Sequence, residues 1–438
     1  MHNLEAILDV LPAGADKRLD AQRLAAAEFV RRHGLPQMSD ETWKYTNLAA
    51  LREISYRAAE PADGQTLSME HFETLVDAAI SPHRAVLVNG YFRADLSTLD
   101  SLPAGLSVRS LAAVLDTESD LQHAVFTPGQ GRSEIAFSAL NAALVADGFL
   151  VEVTPGASFD EPLHIVSISN GEQPLLCTPR IIIRAGAQSR LSLVEEYLGS
   201  PADRSLTNVV TDIELDSSAE VHHHRLQNDP DTTAHIGRVQ ARLGAASVFR
   251  SSSVTFGGAL TRVDIDVTLA ARGARACLNG LFTVTDKQHV DHHTVIDHVV
   301  GDTHSEELYR GVLDGRSRGV FNGKVIVRRD AQGITARQAS NNLLLSRRAE
   351  IDAKPELEIY ADNVSCAHGA TVGELDHEAL FYLRSRGIAE ADARALLVYA
   401  FAEKVVETIP LESVRQAIET RFIGRHALGS LIESKEWP

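Results

Sequence analysis

The residues of this chain best placed to do chemistry are Cys366 and His368, in the run Val364-Ser365-Cys366-Ala367-His368-Gly369. Thiolate and imidazole are soft and borderline ligands suited to iron, zinc or sulfur-bearing groups. Residues two apart on a strand point to the same face, so this spacing lets both side chains address one ligand. The plainer reading is a small buried thiol beside a hydrogen-bonded histidine in a tight turn, the commoner fate of a lone Cys-x-His. An iron–sulfur cluster takes four protein ligands as a rule. One Cys and one nearby His therefore cannot close such a site, and a second chain must supply the rest if they hold iron or sulfur.

A second group lies at His289-Val290-Asp291-His292-His293-Thr294-Val295-Ile296-Asp297-His298. On a strand, His289, Asp291, His293 and Asp297 share one face, and His292 and His298 share the other. Imidazole with carboxylate is metal-ligand chemistry, which makes His289 and His293 alternative metal ligands. The polar outer face of a β-coil has the same pattern. His222, His223 and His224 are consecutive, so a strand splits them between faces. Gly323-Lys324 is followed by Val325 and lacks the earlier glycine of a P-loop, so nucleotide is not bound that way. There is no Gly-x-Ser-x-Gly elbow and no Cys-x-x-Cys pair.

Three regions must position these groups: a helical and mixed segment over 1–130, a strand-rich core over 131–372 and a helical segment over 373–438. In the first, Asp16 to His33 carries Leu24, Ala27, Phe29 and Val30 near helical spacing and stops at Gly34 and Pro36. Ser39 stands in an N-cap position before a second helix containing Trp43 and Tyr45, aromatics expected to pack it onto its neighbours. The core reads as short strands such as Leu191–Val194, Val263–Leu269 and Lys324–Val327. A small turn recurs at Gly186, Ser218, Gly244 and Gly273, which are 32, 26 and 29 residues apart. That period suggests one coil of a β-helix per repeat, or a long sandwich. Asn and Gln residues in line, as at Asn341-Asn342, are expected to form internal ladders. In the last region Asp376 reads as an N-cap and Gly387 as a helix stop. These helices either dock a partner or cap the open end of the solenoid.

The net charge of −17 over 438 residues argues against nucleic acid and anionic membranes as partners, because their phosphates repel an acidic surface. No run of 18 apolar residues occurs, and Met1-His2-Asn3-Leu4-Glu5 lacks the features of a signal peptide. Three scattered cysteines make no disulfide framework, and a cytoplasmic location is expected.

Pro355 to Val364, Cys366-Ala367-His368-Gly369-Ala370-Thr371-Val372-Gly373 and Leu380-Phe381-Tyr382-Leu383-Arg384-Ser385-Arg386-Gly387-Ile388 together resemble the signature of the SufD family, part of the Suf iron–sulfur cluster assembly system. The resemblance extends to Gly319-Val320-Phe321-Asn322-Gly323-Lys324 and Trp43-Lys44-Tyr45-Thr46-Asn47, and so covers nearly the whole chain. The paralogous SufB family shares the helix motif but is typically longer and lacks the Cys-x-His-Gly-Ala run in this form.

The resemblance implies a mainly β fold, a right-handed parallel β-helix flanked by N- and C-terminal helical domains. It implies a scaffold without enzymatic activity that pairs with a SufB-like paralogue through the β-helix. The C-terminal domain would bind a SufC ABC-type ATPase, with Phe381, Tyr382, Arg384, Arg386, Arg394 and Phe401 as candidate contacts. No cofactor is held by the chain alone; iron or a nascent iron–sulfur cluster is shared transiently with SufB at the interface. His368 matches the family's functional histidine and Cys366 a nearby cysteine, with Ala367 where Ser is frequent. The alternatives are a SufB-like paralogue in the same role, a homodimer of the isolated chain, and a β-helix enzyme acting on polysaccharide. The last would use the Asp-, His- and Arg-rich stretch 286–318 as its groove.

Overall fold

The computed structural model describes residues 4–9, 17–115, 118, 121, 125 and 135–425. Runs rich in Val, Ile and Thr alternate between the two sheets of a parallel β-solenoid of eight coils. Each coil gives one strand to each sheet. The first sheet runs from Gly148–Val153 to Glu350–Ile359, and the second from Leu163–Ser169 to Val364–Gly373. Neighbouring coils pair in parallel without slippage, so every side chain stands in a lane with its counterparts above and below. Even-numbered residues of Val364–Gly373 point inward and odd-numbered ones outward, the former continuing lanes such as Val221, Phe249 and Ala276 that are fully buried.

The recurring turn in the sequence is a real corner. Gln188, Ser218, Ala246, Gly273, Asp302 and Gly333 all adopt positive φ, once per coil. Their amides bond from one coil to the next, as in Ser218 N–H to Ala245 O and Gly273 N–H to Asp302 O. Only some of these positions are glycine, so sequence shows the period weakly although the backbone repeats it strictly.

The start of the solenoid is sealed by the chain itself. Leu106–Ser110 pairs antiparallel with Gly148–Val153, and His83–Val88 pairs in parallel with Leu163–Ser169. Strands at 83–88 and 106–110 thus extend the sheets into the region read as the N-terminal domain. The helices Lys17–His33 and Ala136–Leu144 pack over the outer face of the first sheet through Ala27, Val30, Leu140, Leu206 and Ile236. The helix expected after Ser39 is only a 3-10 turn, Glu41–Trp43. The Asp40 carboxylate accepts from Gln37 N–H at 2.8 Å, and the following residues are drawn onto the solenoid instead.

The C-terminal helices His377–Ser385, Glu390–Val406 and Glu412–Arg425 do not cap the open end, as one of the two sequence readings had it. The latter two lie along the outer face of the second sheet. Val398, Ala402, Val405, Ile418 and Phe422 meet Val194, Leu226, Val254 and Leu281 there. That outer lane is apolar, so burying it against helices removes it from water. As read from sequence, Asp376 caps the first helix, accepting from Glu378 and Ala379 N–H, and Gly387 stops it with φ +91°. No helix among the described residues is long and apolar enough to cross a membrane.

Candidate functional site

The solenoid ends on Val364–Gly373, whose only strand partner among the described residues is Ile334–Leu344. Val372 and the neighbouring Tyr360 are more than half exposed. This edge presents unpaired N–H and C=O groups, a template on which another strand can add. Cys366 and His368 both point inward from it. Cys366 completes a lane of small and apolar side chains, Val221, Phe249, Ala276, Ser305 and Ala336, and is half-buried against that core. Burial pushes its thiol above the ordinary value. His368 completes a polar lane, His223, Ser251, Leu278, Glu307 and Gln338, and is exposed. The two-residue spacing therefore does put both side chains on one face, at the mouth of the solenoid.

The interior beneath them is unusually polar for a solenoid core. Glu195 accepts from Tyr197 at 2.6 Å and faces His223 at 3.3 Å, all three out of solvent. Arg225 is fully buried, 2.5 Å from His235, which meets Asp229 at 3.0 Å. Gln338 Nε2 donates to Glu307 Oε2 at 2.5 Å. Burial pushes the Glu307 carboxyl up to about 7, although the bonds from Gln338 and Thr294 oppose this. Burial likewise pulls His292 and His224 down to about 3, so both are neutral at physiological pH.

On the helix following the last strand, Phe381 is 72% and Tyr382 57% exposed, with Arg384 and Arg386 exposed beside them. The Arg386 guanidinium lies over the Tyr382 ring at 5.1 Å. Two aromatic side chains and two arginines on one free surface have the make-up of an interface patch. Arg394 is half-buried, and Phe401 is taken up internally: its ring lies under Arg310, which also donates to the Phe401 carbonyl at 2.6 Å.

Two family models cover the chain: SufBD protein N-terminal region over residues 5–165, and SUF system FeS cluster assembly, SufBD core domain, over 167–401. The chain belongs to the SufBD family. An iron–sulfur cluster assembly SufBD family protein of Synechocystis sp. is 31% identical over 93% of this chain and 92% of its own length. The iron–sulfur cluster assembly protein SufD of Escherichia coli is 28% identical over 89% of each chain, and that of Bacillus subtilis 25% over 92% of each. This SufD-like chain thus serves iron–sulfur cluster assembly as a SufBD-family subunit.

Within the SufBD fold the histidine-rich strand has a structural occupation. Thr46, from the Trp43–Asn47 motif, lies 2.9 Å from His289 and donates to Asp291 at 2.5 Å. Asp291 also meets His293 at 3.0 Å and Arg262 at 2.9 Å, and Arg262 stacks on Trp43 at 3.8 Å. Burial alone would raise the Asp291 carboxyl, but His293 and Arg262 hold it well below the usual range. Trp43 is buried and stacks on Phe137, as its packing role required. These contacts pin the N-terminal segment to the solenoid wall. Among the described residues no three His, Cys, Asp or Glu side chains gather into a metal site.

Sequence reading missed the Glu307–Gln338 pair beneath His368 and the Thr46–Asp291–Arg262 lock. The signal for the first was Gly323, in the Phe321-Asn322-Gly323-Lys324 motif: a Cβ there would collide with the Gln338 amide. The signal for the second was the co-occurrence of Trp43-Lys44-Tyr45-Thr46 with the His289–Asp291 strand, and nothing in linear sequence joins them.

Proposed function

We propose that this chain is a non-enzymatic scaffold subunit whose open solenoid end pairs with a SufB-like paralogue and presents His368, assisted by Cys366, to iron or a nascent cluster as cargo. The observation that carries this reading is the placement of Cys366 and His368 on the last strand of the solenoid, which has one strand partner among the described residues. A strand added there brings a second chain's side chains within reach of both, which supplies the ligands that this chain lacks. His368 binds through the lone pair of a neutral imidazole, so metal affinity falls when the ring is protonated. The exposed Phe381, Tyr382, Arg384 and Arg386 surface is the docking face for a SufC-type ATPase, flanked by Arg394; Phe401 holds the long helix beneath it in place.

The test is co-purification of the tagged chain with its paralogue and ATPase, followed by anaerobic cluster reconstitution on the complex. His368→Ala is expected to leave the complex and its melting temperature unchanged and to stop cluster formation. Full cluster formation by that variant would remove His368 from the mechanism. Recovery of the chain alone, folded and without partners, would overturn the scaffold reading. Phe381→Ala with Tyr382→Ala is expected to release the ATPase while the paralogue stays bound.

A further inference from the structure

The geometry points to Gln338 as a positioning residue for His368: its side-chain carbonyl, unpartnered in the structure, is the acceptor for one imidazole N–H when the ring turns inward, which holds the ring as a single neutral tautomer with the other nitrogen aimed out of the solenoid mouth. The inference deepens the proposed role of His368 and rests on that reading for its functional meaning.

Glu307, Gln338 and His368 are in-register partners on three successive strands and all point inward. Paired strands lie about 4.8 Å apart, so each side chain stands directly over the one below. Gln338 is buried, and its amide nitrogen is committed downward to Glu307 Oε2 at 2.5 Å. An amide that donates to the coil below turns its carbonyl towards the coil above, as in any stacked Gln ladder. Gln338 Oε1 is indeed buried without a hydrogen-bond partner. The next side chain in that direction is His368, which belongs to the last coil and has no strand above it among the described residues.

The amide also has its place reserved from the facing sheet. Gly323 lies across the interior, and any Cβ there would strike Gln338 Nε2 and Cδ. The missing side chain at 323 leaves the volume that the Gln338 amide fills. A histidine with one N–H held by an outer acceptor presents the other nitrogen as a lone pair in fixed orientation, the arrangement that metal-binding histidines generally use. A Gln carbonyl does this without adding negative charge at the mouth.

The experiment uses the full chain labelled with 15N-histidine. Long-range 1H–15N spectra are recorded at a pH where His368 is neutral, and its signals are assigned by their loss in His368→Ala. A single buried hydrogen bond biases the tautomer about fivefold, so the wild type is expected to show one dominant tautomer at His368. Gln338→Leu removes the acceptor and is expected to give a mixture. Gly323→Ala displaces the amide while leaving Gln338 and His368 themselves unchanged, and is expected to do the same. In the reconstituted complex both variants should slow cluster formation about fivefold rather than abolish it. A mixed tautomer in the wild type overturns the proposal whether or not either variant folds, and so does a bias that survives both substitutions. The tautomer readout needs no cluster chemistry. If His368→Ala proves fully active, the cargo role fails while the Gln338–His368 bond stands or falls on its own spectrum.

Discussion

The two ends of the solenoid are built from the same kind of strand and finished in opposite ways. At the start, all seven residues of Leu163–Ser169 are buried, and His83–Val88 lies alongside as an added strand. At the finish, Val364–Gly373 has a strand neighbour on one side only among the described residues, and eight of its ten residues are exposed. Charges and prolines normally protect a free edge. This one instead carries Cys366, His368 and a run of small residues, Gly369, Ala370 and Gly373, with Val372 exposed. Under the proposed scaffold role, a partner strand would stand at the second end where the chain's own residues stand at the first.

Matched substitutions test this contrast most strongly. Val86→Lys puts a charge into the sealed end, where Val86 has no exposure; it is expected to cost at least about 3 kcal/mol in urea unfolding of the isolated chain. Val372→Lys at the open end is expected to change the isolated chain by under about 0.5 kcal/mol, yet to weaken pairing with the paralogue at least tenfold by titration. Equal stability losses at the two ends would erase the distinction.

The next test concerns charge just below the mouth. The Glu307 carboxyl titrates at about 7 in the folded chain against 4.5 as its ordinary value. Between those values the folded chain keeps a proton that the unfolded chain has released, so stability falls as pH rises through this window and is level above it. Glu307→Gln removes the titration. Its stability relative to wild type is expected to rise from pH 5 to pH 8 by an amount on the order of 2 kcal/mol. A pH-independent difference would place Glu307 in contact with solvent.

A smaller effect belongs to His224, away from both ends, where both ring nitrogens are buried without partners. His224→Leu is expected to stabilise the chain by about 1 kcal/mol near neutrality. Because the folded ring is held down to about 3, charging it requires unfolding, and stability drains as pH falls below about 6.5. The variant should therefore lose less on acidification than the wild type. Smallest of all is the exposed Arg328–Asp297 pair on the outer face, 2.9 Å long. Arg328→Gln should cost under about 0.5 kcal/mol and vanish into the noise at high salt.

Much of this architecture is legible in sequence because a solenoid repeats local rules. Strands such as Val263–Leu269 announce themselves by composition, and Asp376 and Gly387 mark a helix at both ends by side-chain chemistry alone. The face shared by His289, Asp291 and His293 follows from strand periodicity and holds in the structure. What alternation cannot supply is which coil stands above which. The Glu307–Gln338 bond spans 31 residues, and the Thr46–Asp291 bond 245. The outer-face packing of the C-terminal helices was equally hidden, because an apolar helix stripe does not say which surface it will cover. The ladder expected from Asn341-Asn342 does not form, because no Asn or Gln stands above or below either residue: Asn342 donates to the Ser340 hydroxyl and the Thr371 carbonyl, and Asn341 accepts from the Thr371 hydroxyl.

The last helices also set an order of events during synthesis. Their apolar partners Val194, Leu226 and Val254 belong to early coils, and Ser413 donates to the Ile80 carbonyl near the sealed end. On a ribosome those coils emerge and can stack long before residues 390–425 exist to cover them. The growing chain therefore carries a bare apolar stripe until residues 390–425 have emerged, the condition under which chaperone capture or aggregation competes with folding. A ribosome that stalls just before residue 390 would hold a solenoid already wound but still unclothed along one side.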